Sequence, residues 1–68
     1  MVAITLKAAR VNRGLSQVEA AKAIGISKDT LSNYERGISF PDVPIINAIE
    51  KVYGIKYDEL IFLINKNA

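Results

Sequence analysis

The sequence predicts an all-α domain of five short helices, and three observations carry that prediction. Ser16, Ser27 and Asp42 stand where helices would start, and Gly25, Gly37 and Gly54 stand where they would stop. Between those marks, apolar residues recur at three- and four-residue spacing, the period of a helix with one buried face. The chain is also short, 68 residues without a cysteine, so its core must be closed by dense helix packing or by self-association rather than by disulfides.

Each element follows from local chemistry. A first helix is expected over about Thr5 to Asn12, with Leu6, Ala8 and Ala9 turned inward, ending before Arg13-Gly14. Ser16-Gln17-Val18-Glu19 is a capping box, in which the serine hydroxyl and the glutamate carboxylate each satisfy a backbone donor at the start of a second helix. Val18, Ala21 and Ile24 form its apolar stripe, and Gly25 ends it in a left-handed conformation that costs glycine little. Ile26 is placed to plug the gap before Ser27 caps a third helix, Lys28 to Arg36, whose Leu31, Tyr34 and Glu35 face inward. Small residues at Ala20 and Ala21 suit a close crossing of these two helices. Asp42 caps a fourth helix, Val43 to Tyr53, where Pro44 is tolerated because first-turn amides lack intrahelical partners. Ile45, Ile46, Ile49, Val52 and Tyr53 form its apolar face. A fifth helix is expected over about Tyr57 to Ile64, with fraying beyond it. No repeat, low-complexity tract or linker divides the chain, so residues 1–68 are expected to form a single domain.

The stretch Leu15 to Gly37 therefore has the form of a helix-turn-helix, two capped helices forced round a sharp glycine corner. The residues Leu6, Arg10, Leu15-Ser16-Gln17, Ala21, Gly25-Ile26-Ser27, Thr30-Leu31-Ser32, Tyr34-Glu35-Arg36-Gly37 and Pro41 resemble the Cro and phage-repressor family, also called the XRE family, of bacterial regulators. Ile46, Ile49, Gly54-Ile55 and Asp58-Glu59-Leu60 are similar to the helices that close its domain. The resemblance covers roughly residues 4–62. It implies a compact five-helix, lambda-repressor-like fold and a sequence-specific, dimeric transcriptional regulator that binds double-stranded DNA.

In such a module the N-terminal part of the second motif helix meets base edges in the major groove. Lys28, Asp29, Ser32 and Asn33 lie opposite Leu31 and Tyr34 and are the candidate base-reading residues. Asn33 suits a bidentate contact with adenine and Lys28 one with guanine, each worth about 1–3 kcal/mol of discrimination. Asp29 has two open readings: favouring the helix dipole, or accepting from cytosine N4. Phosphate contacts are expected from Gln17, in the first turn of its helix, and from Ser27, Arg13, Arg36 and Ser39, with Lys7 and Lys22 as neighbours. The resemblance assigns Gln17 that role. It also implies an ion pair between Arg10 and Glu35 bracing the first helix against the recognition helix.

Charge distribution agrees with a nucleic-acid partner. The net charge is only +2, but residues 1–37 carry six basic against three acidic side chains while residues 38–68 carry three against four. The basic half is the half with the motif, as counterion release would favour. A modest total implies that affinity depends on placing two domains on one palindromic site. Leu60-Ile61-Phe62-Leu63-Ile64 is apolar on all sides, more than a terminal helix can bury in so small a domain, and points to a homodimer using Tyr57, Ile61, Phe62 and Ile64.

Other classes fit poorly. The absence of histidine and cysteine removes the commonest base, nucleophile and metal ligands, and no glycine-rich phosphate loop is present. Neither an enzyme, a metal, a cofactor nor a small-molecule ligand is expected, and control is expected to come through protein concentration and dimerisation. The longest apolar run is too short to span a bilayer and no signal pattern opens the chain, so no membrane association is expected and a cytoplasmic location is. The competing reading is a protein-interaction module, such as an antitoxin or adaptor built on the same fold.

Overall fold

The computed structural model describes residues 3–62. Its elements are β1 (Ile4–Thr5), α1 (Leu6–Asn12), α2 (Gln17–Ile24), α3 (Lys28–Arg36), α4 (Val43–Tyr53), a single 3₁₀ turn (Tyr57–Glu59) and β2 (Leu60–Ile61). Four α-helices thus build the domain, and each begins at a residue whose side chain accepts from a first-turn amide. Thr5, Ser16, Ser27 and Asp42 cap Ala8, Glu19, Thr30 and Ile45 respectively.

The core is formed by Leu6 and Ala9 of α1, Ala20, Ala21 and Ile24 of α2, Leu31 of α3, Ile49 and Tyr53 of α4, and Leu60. Helix α2 packs on α3 and on α4, which explains why its inner face is made of alanines. Ala20 and Leu31 are both fully enclosed. A larger side chain at Ala20 or Ala21 would overpack the crossing, at a typical cost of about 1–3 kcal/mol. Val18 corrects the expected stripe: it is 59% exposed, because the α2 face that meets α3 and α4 runs through Ala20, Ala21 and Ile24 instead.

The expected fifth helix over Tyr57 to Ile64 is also corrected. After the 3₁₀ turn the backbone is extended at Leu60, with φ −94° and ψ 138°, and β2 pairs in parallel with β1, Ile4 opposite Leu60 and Thr5 opposite Ile61. The physical reason lies in the alternation. A strand sends Leu60 into the core and Ile61 outward, whereas a helix would have to bury several sides of an apolar run at once. Ile4 and Thr5, the latter expected to open the first helix, become the pairing partner. Lys56, which lacks a hydroxyl for capping, leaves its backbone N–H to the Glu59 carboxylate, 3.2 Å away. Glu50 accepts from the Tyr57 backbone N–H at 2.7 Å and so ties α4 to this segment. Ile64 lies outside the described residues.

Candidate nucleic-acid interface

The corner between α2 and α3 is set by Gly25. Its φ of 95° is left-handed, its N–H donates to the Ala21 carbonyl at 2.8 Å, and the Ile26 N–H donates to the same carbonyl at 2.9 Å. Ile26 is half-buried against the core. Ser27 then starts α3 with a doubly used hydroxyl, which accepts from the Thr30 N–H at 3.1 Å and donates to the Thr30 hydroxyl at 2.8 Å. That engagement uses the Ser27 hydroxyl as the cap of α3.

At the start of α2 the capping box is complete. Ser16 accepts from the Glu19 N–H at 3.1 Å, and Glu19 accepts from the Ser16 N–H at 2.9 Å. The bond from the Ser16 backbone, followed by the one involving its hydroxyl, holds the Glu19 carboxyl below its usual pKa. With Ser16 and Glu19 paired to each other, the backbone donors of Gln17 and Val18 are the open ones in the first turn.

Helix α3 presents two different sides. Leu31 and Glu35 are buried, Lys28, Asp29 and Arg36 are exposed, and Ser32 and Asn33 are half-buried between them. Asp29 and Asn33 thus lie on the side of α3 away from Leu31 and Ser32 flanks it, whereas Lys28, expected there too, is three residues before Leu31 on the same side and is exposed because it opens the helix. Gly37 ends the helix in a left-handed conformation, φ 76°, with the Ile38 N–H on the Asn33 carbonyl at 2.9 Å. Ser39 and Phe40 follow as exposed loop residues.

Beneath that surface lies a charged cluster. Arg10 donates from Nε to Glu35 Oε2 at 2.7 Å and from Nη2 to Glu35 Oε1 at 3.4 Å, and its Nη1 donates to the Leu15 carbonyl at 2.8 Å. The side chains are 10% and 4% exposed. Helix α1, the loop before α2 and α3 are thereby joined at one point. Gln17 is part of the same cluster, its Nε2 donating to Glu35 Oε1 at 3.0 Å. No local sequence pattern signals this contact, since the partners are 18 positions apart and in different helices.

Arg13, expected among the phosphate contacts, is placed elsewhere. A β-carbon on Gly54 would meet the Arg13 guanidinium at 3.4 Å, so that side chain lies over the C-terminal end of α4. The cleft it lines there includes Asn12, Tyr53, Ile55 and Glu59, and no residue of α3. A cation in that place complements the negative end of the α4 dipole. The sequence signal was ambiguous because an arginine after one helix reveals nothing about which other helix ends nearby.

Tyr57, Ile61 and Phe40 are exposed, and Phe62 lies between two aromatic rings, 5.6 Å from Phe40 and 5.6 Å from Tyr57. Tyr57 also shares a cleft with Val43 and Ile46 of α4. The aromatic contact of Phe40 with Phe62 joins the loop after α3 to the end of the described chain.

This architecture agrees with the comparisons against known proteins. A family model described as helix-turn-helix matches residues 6–60. The chain belongs to the XRE-type helix-turn-helix family. That family is one of DNA-binding transcriptional regulators. Among curated relatives, the cryptic phage CTXphi transcriptional repressor RstR of Vibrio cholerae is 38% identical over 52 residues, covering 76% of this chain and 47% of the relative. The regulator ImmR of Bacillus subtilis is 38% identical over 56 residues, covering 82% and 44%. The antitoxin PezA of Streptococcus pneumoniae is 31% identical over 61 residues, covering 90% and 39%. The chain spans less than half the length of each of these relatives. Among the described residues no helix is long and apolar enough to cross a membrane.

Proposed function

We propose that this chain binds double-stranded DNA in a sequence-specific manner and regulates transcription, acting as a repressor that occupies a palindromic operator as a homodimer. The observation that carries the reading is the outer side of α3. It presents an aspartate, a serine and an asparagine, with a lysine exposed in the first turn, on a helix whose Leu31 and Glu35 are locked into the core. In a helix-turn-helix that side enters the major groove. Lys28 and Asn33 would read guanine and adenine, with Ser32 and Asp29 contributing at neighbouring bases. Gln17 and the open amides of α2, with Arg36 and Ser39, would hold the phosphates that set the register. The names of RstR and ImmR support the regulatory part of this reading, and RstR supports repression.

Dimerisation rests on the apolar surface of Phe40, Tyr57, Ile61 and Phe62, extended by Val43 and Ile46. Two copies joined there would bring two recognition helices to one face of the duplex, with half-sites about 34–36 Å apart.

In vitro selection of randomised duplexes with the purified chain at near-physiological salt tests the proposal. Enrichment of a palindrome is expected, with Asn33→Ala abolishing preference at one base pair of each half-site. A folded protein that enriches no sequence would overturn the reading and favour the protein-interaction alternative, for which the antitoxin relative is the supporting observation.

A further inference from the structure

The carboxylate of Glu35 does more than neutralise Arg10. It receives three donors, two from the guanidinium and one from the Gln17 amide at 3.0 Å, and its side chain is only 4% exposed. A carboxylate in an ion pair only accepts hydrogen bonds, so the nitrogen of the Gln17 amide must face it and the amide oxygen must face away. The two amide orientations of a free glutamine are therefore reduced to one. Nε2 carries a second N–H, and among the described residues that donor has no partner. Gln17 is half-buried in the first turn of α2, beside the open backbone donors of Gln17 and Val18.

We propose that Glu35 is a positioning residue for DNA recognition: held by Arg10, it orients the Gln17 amide so that the second N–H joins the α2 amides in donating to one phosphate. The inference rests on the DNA-binding reading above. A flexible glutamine would have to give up side-chain freedom and choose an orientation on binding, and the carboxylate removes that cost beforehand. The arrangement also couples the phosphate clamp to the recognition helix. Glu35 is on α3 and Gln17 on α2, so the donor to the backbone is set in register with the residues that would meet the bases.

The test uses the duplex obtained by selection and a series of the same duplex with one phosphate at a time replaced by a neutral methylphosphonate. Binding is followed by fluorescence anisotropy. With the unaltered protein, one such replacement in each half-site is expected to weaken binding about tenfold, the scale of one well-formed contact. Gln17→Met removes the side-chain donor and should reduce that sensitivity to what the α2 backbone amides alone supply, while preserving it at other phosphates. Arg10→Met with Glu35→Met removes the buried pair together, which avoids leaving a lone charge. Circular dichroism establishes that this variant is folded, and it is expected to show the same reduced sensitivity although Gln17 is intact. Arg10→Met with Glu35→Gln restores an uncharged acceptor and should recover part of it, a rescue that a merely structural role would not produce.

Full sensitivity in the folded double-methionine variant would overturn the positioning role. So would an unaltered protein that binds its duplex tightly with no single phosphate mattering near α2, an outcome that leaves DNA binding itself standing. An unaltered protein that binds no duplex would overturn both.

Discussion

At Tyr53 the fold holds a hydroxyl within electrostatic reach of the Arg10–Glu35 pair and gives it no hydrogen-bond partner among the described residues. The residue is 3% exposed. Burial, then the negative charge of Glu35, opposed in part by Arg10, pushes the phenol pKa from 10.0 up to about 12. The sign of the linkage follows. Above pH 10 the unfolded chain releases this proton while the folded chain keeps it, so stability falls as pH rises from about 10 towards 12. Tyr53→Phe removes both the unpaired hydroxyl and this titration. Urea unfolding should find the variant equal to or up to about 1 kcal/mol more stable than the unaltered protein near neutral pH. Its advantage should then widen above pH 10. A loss of more than about 1 kcal/mol at neutral pH would mean that the hydroxyl has a partner in solution. Residues of this kind were partly legible in the sequence. The need of Tyr53 for an outlet follows from an aromatic alcohol on an apolar helix face. Where Arg13 and Gln17 reach does not, because long polar side chains are positioned by partners distant in the chain.

Helix boundaries were the most readable feature at the scale of elements, since they are decided within four residues by a cap or a glycine. Helix α4 spans Val43–Tyr53 and α3 spans Lys28–Arg36, as their caps and glycines require. The end of the chain was not readable in the same way. Leu60 to Phe62 has no helix cap of its own, and its extended form depends on Ile4 and Thr5, more than fifty positions away. Gly25 offers a test of how far local chemistry sets the architecture. A β-carbon there would meet no heavy atom within 4 Å, so any penalty for Gly25→Ala comes from the backbone and not from crowding. The left-handed conformation costs an L-residue about 1–2 kcal/mol. Chemical denaturation of Gly25→Ala should show a loss of that size with an unchanged denaturant dependence, and Gly25→Asn should lose less. A neutral Gly25→Ala would mean that the corner between α2 and α3 relaxes into another turn.

At the scale of the whole molecule, a net charge of +2 is small for a protein that must hold a polyanion. One domain can reach few phosphates, and two domains on one duplex double the number without any new contact chemistry. The apolar surface at the end of the described chain is where that doubling would be built. Tyr57 and Ile61 are 52% and 43% exposed, so replacing both by serine should leave monomer stability nearly unchanged, within about 1 kcal/mol for the pair. Sedimentation should find the unaltered protein dimeric at micromolar concentration and the serine variant monomeric. On a full palindrome the variant should bind at least about a hundredfold more weakly, because the second half-site is no longer reached intramolecularly. On a single half-site the two proteins should bind alike, since the face of α3 is untouched. The slope of log affinity against log salt on the palindrome should fall by roughly half, reporting the phosphates lost with the second domain. An unaltered protein that remains monomeric at high micromolar concentration would limit pairing to the DNA itself, where the same surface would have to act as a cooperative contact between adjacent copies. The shape of the titration on scarce palindromic DNA separates these cases, because cooperative loading of monomers is sigmoidal in protein concentration whereas a preformed dimer binds along a simple hyperbola.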